Sequence, residues 1–516
     1  MSREFRNEAL TDFTKPENRE KMEAALSKVA NEFGKEYPLL IGGKRITTEK
    51  KIKSYNPARK SEVVGIAQKA SKADALAALD AAWKSFESWK RVNAEERAGY
   101  LYKLAEKMRA KKYELAATMV YEVSKSWAEA DADVAEAIDF CEFYADEAIR
   151  YSKGSPCVQY PGETNELRYI PIGVGAVIPP WNFPLAILVG MTTAAAVTGN
   201  TVVLKPASDA PIIAARFIEL VEEVGIPVGV INFVSGSGSE VGETLITNPN
   251  VRFISFTGSK EVGLHIAEEC GKTYPGQKWI KRLVSEMGGK DATIVDSEAD
   301  IDAAVEGVAI SAFGFQGQKC SACSRAIVDA KIYDQFVEKL AERVKKIVVG
   351  DPSKYGNYMG AVSSKNAFEK ICEYIEIGKK EGKLLTGGEA SSENGYFIQP
   401  TVFTNIDPKA RLAQEEIFGP VLAVIKARDF NHAIEIFNNT DYGLTGGIFS
   451  KNKDKLSRAK EECYCGNFYI NRKITGALVG VQPFGGYNMS GTCSKAGGRD
   501  YLGLFLQGKS ICEKIL

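Results

Sequence analysis

The spacing of apolar side chains changes character along this chain, and each change predicts a different kind of element. Residues 17–33 repeat apolar positions at helical intervals and predict an amphipathic helix. Leu39, Leu40 and Ile41, the Gly42–Gly43 pair and Ile46 then predict a short hairpin. Residues 72–151 are helical by period almost throughout. Ala75, Leu76, Leu79, Ala82 and Trp83 begin the pattern, and residues 100–107 and 128–143 continue it.

Further on, short apolar runs alternate with helical ones. Strands are expected at 175–178, 201–204, 230–234 and 252–256, with helices at 185–197 and 211–224. A glycine-rich turn at 236–242 leads into another helix. That rhythm predicts a parallel, doubly wound sheet, which binds ligands beyond the carboxyl ends of its strands. A second run follows Glu286, with strands at 292–295 and 326–328 and helices at 301–313 and 332–348. It continues through 395–402 and 420–425 and reads as a second α/β domain. Motif placement sets the boundary near residue 286, since no low-complexity linker separates the halves. After Phe484 the chain is rich in glycine and is expected to be a loop followed by a strand.

No residue from Tyr169 to Leu204 is charged, which raises the question of a membrane helix. Pro171, Pro179, Pro180 and Pro184 break the segment, and Asn182, Thr192, Thr193, Thr198 and Asn200 would sit unpaired in lipid. A buried strand, a loop and a buried helix fit better. Residues 1–15 carry both charges and lack the apolar core of a signal peptide. With 66 basic and 66 acidic residues and no basic stripe, no nucleic-acid partner is expected. Ten irregularly spaced cysteines form no disulfide framework and point to reduced thiols in a cytoplasm. The two histidines, His265 and His432, exclude a His-rich metal centre and leave a hydrolase little choice of base.

Cys320 follows a glycine-containing turn in Phe315-Gln316-Gly317-Gln318-Lys319-Cys320. Lys319 and Arg325 flank it and are expected to favour a thiolate, a strong nucleophile toward a carbonyl carbon. Taken alone, such a residue is more often a buried structural thiol. With Cys323 it also forms a Cys-x-x-Cys, whose companion pair Cys463 and Cys465 is poorly spaced for zinc. Glu286, at an expected strand end beside two glycines, could activate water as a general base or be a solvated carboxylate. Asn182 could donate to an oxyanion or satisfy its own turn. Gly236, Gly238 and Gly242 lie between a strand and a helix, one residue longer than the usual dinucleotide signature. Phe256-Thr257-Gly258-Ser259 offers free amides to a phosphate, and Lys205 and Ser208 follow another strand end within reach of a ribose or phosphate.

In their order and spacing these motifs resemble the aldehyde dehydrogenase superfamily over residues 37–504. The motifs that carry it are Pro180-Trp181-Asn182-Phe183-Pro184, Phe256-Thr257-Gly258-Ser259, Glu286-Met287-Gly288-Gly289-Lys290, Gly317-Gln318-Lys319-Cys320 and Glu415-Glu416-Ile417-Phe418-Gly419-Pro420. The resemblance implies an α/β fold with a Rossmann-type cofactor domain, an α/β catalytic domain and a small β oligomerisation arm. On that pattern residues 1–46 are an amino-terminal helical arm and 47–152 with 171–285 the dinucleotide-binding domain. Residues 286–484 are then the catalytic domain, and 153–170 with 485–516 the oligomerisation strands of a homo-oligomer, a domain-swapped dimer or multiples of it.

The resemblance also implies roles. Cys320 is the nucleophile, Glu286 the general base, and Asn182 the oxyanion donor with the Cys320 amide. Lys205 holds the adenine ribose, Ser259 the pyrophosphate, and Glu416 the nicotinamide ribose with Phe418 nearby. Trp181, Gly236, Gly238 and Gly242 complete the cofactor set. Ser208 stands where many NAD-dependent relatives carry a glutamate, so NAD is expected with NADP tolerated, and no metal. Within the superfamily the chain is most similar to the subgroup that oxidises L-glutamate γ-semialdehyde, the open form of 1-pyrroline-5-carboxylate, to L-glutamate in proline and arginine degradation. Residues 131–140, Ser321, 475–477, 482–486, 490–492 and 495–498 carry this similarity. It implies that the Gly476 and Ala477 amides and the Ser321 hydroxyl hold the substrate α-carboxylate, that Phe183 and Phe484 sandwich its chain, and that Glu136 lies close by. Another semialdehyde oxidiser of the superfamily is the alternative. A non-catalytic relative would be expected to lack Cys320 or Glu286, and both are present.

Overall fold

The structure, a computed structural model, describes residues 4–515. Residues 1–3 and 516, parts of the expected terminal segments, lie outside the described residues. The central alternation folds into a seven-stranded sheet in the spatial order Arg282–Glu286, Phe253–Thr257, Val174–Ile178, Thr201–Leu204, Ile231–Phe233, Leu39–Ile41, Lys44–Ile46. The first five are mutually parallel. The Leu39–Ile46 hairpin, expected to belong to the amino-terminal arm, is instead the antiparallel edge of this sheet, paired through Leu40 and Phe233. Leu39, Leu40 and Ile41 are all buried, and a hairpin is a compact way to cover an otherwise open strand edge.

Strand order reverses between Val174–Ile178 and Phe253–Thr257, which creates the crevice where such sheets bind ligands. The uncharged segment supplies one wall. It is the strand Val174–Ile178, a loop, the almost wholly buried helix Ala186–Val197 and the strand Thr201–Leu204. Among the described residues no helix is long and apolar enough to cross a membrane. The extra residue in the glycine-rich turn is taken up by a widened π turn, Gly238–Gly242, where the Gly242 amide reaches back to the Ser237 carbonyl.

A second seven-stranded sheet follows, in the order Lys383–Thr386, Thr401–Thr404, Val421–Ala427, Cys323–Asp329, Asp291–Val295, Thr445–Phe449, Asn467–Ile470. The run 395–402 does not form one strand. Pro400 lacks a donor, and the segment divides into Phe397–Ile398 and Thr401–Thr404. The expected helix at 332–348 stops earlier, as Tyr333–Val344. A hairpin of Lys51–Asn56 and Arg59–Gln68 has no counterpart in the sequence reading. Its outer strand, Lys-Ile-Lys-Ser-Tyr-Asn, offers too few apolar positions for an alternation to show.

Four helices, Lys72–Trp89, Ala94–Ala110, Lys112–Val123 and Trp127–Ser152, flank the first sheet. The last is unusual in burying Asp131, Asp133, Asp139, Glu142 and Glu147. The amino-terminal segment satisfies part of this charge: Thr11 donates to Asp131, and the Glu8 amide and Asn7 donate to Asp139. The strand expected near the carboxyl end is Leu506–Lys514, which pairs antiparallel with Glu163–Pro171 along its whole length.

Asn200 lies between the helix Ala186–Val197 and the strand Thr201–Leu204 and is fully buried. Its Oδ1 accepts from the Ile172 and Gly173 amides at 2.8 Å each, while Nδ2 donates to Thr198 Oγ1 and the Phe505 carbonyl. Asn200→Ala leaves these groups unpaired and is expected to cost about 3 kcal/mol, seen as a lower urea midpoint.

Candidate active site

Two chambers meet in the crevice. One, of about 900 Å³, is lined by all six residues expected at the substrate, Glu136, Phe183, Ser321, Gly476, Ala477 and Phe484, together with Glu286 and Cys320. The other, of about 1760 Å³, runs along the carboxyl ends of the first sheet and is lined by Trp181, Asn182, Lys205, Gly238, Gly242, Ser259, Glu416, Phe418 and again Cys320. Cys320 therefore stands at the junction. Gly236 and Ser208 are not among the residues lining the second chamber. Ser208 Oγ bonds the Gly236 carbonyl, and Gly236 makes room for Val241, whose Cγ2 lies 2.5 Å from where a Cβ would be.

The Cys320 loop is an uncommon piece of backbone. Phe315, Gln316 and Gly317 are consecutive left-handed residues, with φ of 50°, 57° and 67°. Such a run persists only where its surroundings over-determine it. Gln316 Nε2 donates to the Ser124 and Ala361 carbonyls, Gln318 Oε1 accepts the Ser363 amide, and Asn182 Nδ2 donates to the Gln318 carbonyl at 3.0 Å. Asn182 has a second N–H, so this bond orients the amide without exhausting it.

The cations beside Cys320 in sequence do not act on its thiol. Lys319 is bonded to Glu129 at 2.7 Å. Arg325 is buried, and its guanidinium donates to the carbonyls of Lys290, Ile436 and Phe437. Burial pushes the Cys320 thiol well above its ordinary range, and the carboxyls of Asp291, Glu416 and Glu286 add to the effect. The expectation of a flanking-charge thiolate is thus corrected: the flanking cations are engaged elsewhere, and burial and the nearby carboxyls disfavour the thiolate. Cys323 is occupied elsewhere, its Sγ bonding Thr293 Oγ1 and the Arg325 carbonyl. Among the described residues, the group of acids and histidine close enough to share an ion, Glu243, His265 and Glu269, includes neither cysteine.

Glu286 ends the strand Arg282–Glu286 and faces the substrate chamber. Its Oε1 accepts from the Ser494 amide and hydroxyl, at 3.0 and 2.7 Å, and Oε2 from the Gly486 amide at 2.9 Å. These bonds favour the carboxylate, but burial outweighs them and raises the group to about 7. Ser494 lies 208 positions away in sequence, which is why no local signal marked it.

The second chamber suits a dinucleotide. Lys205 is buried, lowered to about 8 by desolvation, and bonds only the Pro206 carbonyl among the described residues. Gly238 has open space where a side chain would be, and Ser259 caps the helix Lys260–Gly271, whose amino-terminal amides are a ready anion site. Glu416 Oε1 accepts the Gly289 amide at 2.9 Å, and a Cβ on Gly288 would fall 2.3 Å from both of its carboxylate oxygens. The glycines after Glu286 therefore serve Glu416 directly.

A family model described as the aldehyde dehydrogenase family matches residues 45–511. A 1-pyrroline-5-carboxylate dehydrogenase of Geobacillus kaustophilus is 55% identical over 513 residues, covering 99% of this chain and 100% of that one. Among solved structures, a 1-pyrroline-5-carboxylate dehydrogenase from Thermus with bound NAD superposes with a TM-score of 0.98 at 53% identity, covering 100% of both chains. A betaine aldehyde dehydrogenase from Staphylococcus aureus in complex with NAD+ gives 0.90 at 31% identity, covering 96% of this chain and 98% of that one.

Gly288→Ala should push the Glu416 carboxylate aside. The expected result is roughly tenfold weaker NAD binding by fluorescence titration, with the melting temperature unchanged.

Proposed function

This chain belongs to the aldehyde dehydrogenase family, and from that premise we propose that it oxidises L-glutamate γ-semialdehyde to L-glutamate with NAD, a step of proline degradation. The observation that carries the reading is the position of Cys320, which lines the substrate chamber and the dinucleotide chamber at once.

Glu286 accepts the Cys320 proton as the sulfur adds to the aldehyde carbon, a role open to a carboxyl held near neutrality. The Asn182 amide and the Cys320 backbone N–H donate to the oxygen that becomes anionic in the thiohemiacetal. NAD, when bound, supplies the hydride acceptor that leaves a thioester on Cys320. Lys205, Ser259, Glu416 and Phe418 hold that cofactor, and Trp181 packs edge-on against Phe418 at 5.6 Å. Once Glu286 has released that first proton to solvent, it takes a proton from water as the water attacks the thioester. The adduct collapses, the carboxylic acid leaves, and Glu286 returns the proton to the departing thiolate, restoring the thiol.

The semialdehyde reading rests on the far end of the first chamber. Gly476 has φ of 75°, and its carbonyl and that of Thr475 are drawn off by Arg472, leaving the 476–477 amides to an anion. Ser321 adds a hydroxyl, Phe183 and Phe484 flank the chain, and Glu136, raised to about 8 by burial and by Asp133, faces the substrate's ammonium. Uncharged Ser208 leaves NADP tolerable, while Asp209, electrostatically coupled to Lys205, weighs toward NAD.

Within this proposal residues 47–152 and 171–285, with the 39–46 hairpin, form the nucleotide-binding unit and 286–484 the catalytic one. In the arm, Glu163–Pro171 exposes alternate residues and Leu506–Lys514 is exposed over most of its length, which supports pairing with a second copy in a homo-oligomer. All ten cysteines are free, in keeping with a reducing cytoplasm.

Cys320→Ala is expected to lower semialdehyde-dependent NAD reduction by more than about a thousandfold. Wild type should strongly prefer glutamate semialdehyde to succinate semialdehyde, and equal rates would remove the substrate assignment. The active form of Glu286 is the carboxylate, so turnover should rise with pH through about 7 and fall away below it. Ser494→Ala removes a donor to that carboxylate, raises its pKa, and should move the limb alkaline by about half to one unit.

A further inference from the structure

The mechanism makes no use of a fully buried ion pair beneath the site. Lys125 and Asp133 both have no exposed side-chain surface, and Nζ lies 3.0 Å from Oδ2. Among the described residues Lys125 Nζ has no well-directed hydrogen bond, and its contact with Asp133 is an ion pair without hydrogen-bond geometry. Nζ lies over two ring faces, Phe183 at 4.1 Å and Phe315 at 4.4 Å from the centroids, and the carboxyls of Glu129 and Glu136 are near enough to feel its charge. One ring is a wall of the substrate chamber. The other is the first left-handed residue of the Cys320 loop.

The partners of this pair reach the same two loops. Asp133 Oδ1 accepts the Ala186 amide at 2.6 Å, gripping the helix that follows Asn182 and Phe183. Ser124, adjacent to Lys125, accepts Gln316 Nε2 on its carbonyl and the Ala361 amide on its hydroxyl. One turn before Asp133, Glu129 holds Lys319; one turn after it, Glu136 lines the first chamber. A buried ion pair is a weak source of stability, because desolvation offsets its attraction, and it is better suited to selecting one geometry. A desolvated ammonium attracts an aromatic face in a direction-dependent way.

We infer that Lys125 is a positioning residue: its ammonium fixes the Phe183 ring against the Cys320 loop, so that the substrate's aliphatic chain presents its aldehyde carbon to the sulfur. The inference rests on the semialdehyde reading above. Failure of wild type to oxidise that substrate would defeat the reading, whereas the comparison of variants defeats only the inference.

The test is the double variant Lys125→Met, Asp133→Asn, which removes both charges and leaves neither unpaired. It should melt within about 5 °C of wild type and bind NAD equally well. KM for glutamate semialdehyde should rise about tenfold or more with kcat within about threefold, while kcat/KM for propanal, too short to span the Phe183 wall, stays within about twofold. An unchanged semialdehyde KM, or an equal loss on both aldehydes, overturns the inference. Should the double variant melt early, Lys125→Arg decides, since a guanidinium keeps a cation on both rings. A KM within about threefold of wild type supports the inference, and a tenfold rise at unchanged melting temperature overturns it.

Discussion

A single sulfur can serve two ligands only where their chambers touch, and the backbone from Gly314 to Cys320 is what places it there. Three successive left-handed residues reverse the chain sharply after the helix Ile301–Phe313, at a cost that local sequence does not repay. The compensation comes from distant groups: carbonyls at Ser124 and Ala361, an amide at Ser363 and the side chain of Asn182. These belong to the helical layer, the second sheet's loops and the crevice of the first sheet. The loop is thus held by every part of the molecule it must serve.

The electrostatics follow from that burial. Carboxyls crowd the sulfur, and the nearby cations are engaged elsewhere: Lys319 by Glu129, Lys125 by Asp133, Arg325 by backbone carbonyls. Surroundings of this kind disfavour the thiolate, on which the reactivity of a cysteine depends. The sulfur gains nucleophilicity when a neighbouring base removes its proton. Glu286, raised by burial and restrained by its Ser494 and Gly486 donors, is the group with its proton affinity in the right range.

The long helix Trp127–Ser152 organises much of this. Glu129, Asp133 and Glu136 recur at helical spacing and so share one face. Through them a single rigid element addresses the Cys320 loop, the helix that follows Asn182 and the chamber lined by Phe183. The acids one step around that helix are met by the amino-terminal segment instead, which explains why so short a stretch is ordered against it.

By itself the sequence determined the kinds of element and, through its motifs, which side chains to propose as the reacting groups. Helical and strand periods report which face of a segment is buried, and burial depends on spacing that is visible locally. The helix at 301–313 and the strands at 201–204 and 39–41 were legible for that reason, while Cys320, Glu286 and Asn182 stood out only through the motifs that resemble the family. Only the tertiary structure decided whom those groups face. Lys319 and Arg325 adjoin Cys320 in sequence yet spend their charge on Glu129 and on carbonyls more than a hundred residues away. Ser494 and Lys125 left no local signal, and the hairpin at 39–46 pairs into a sheet whose other strands come far later. Hydrogen bonds and charges act over a few ångströms of space regardless of separation along the chain, so their partners are set by the path of the fold.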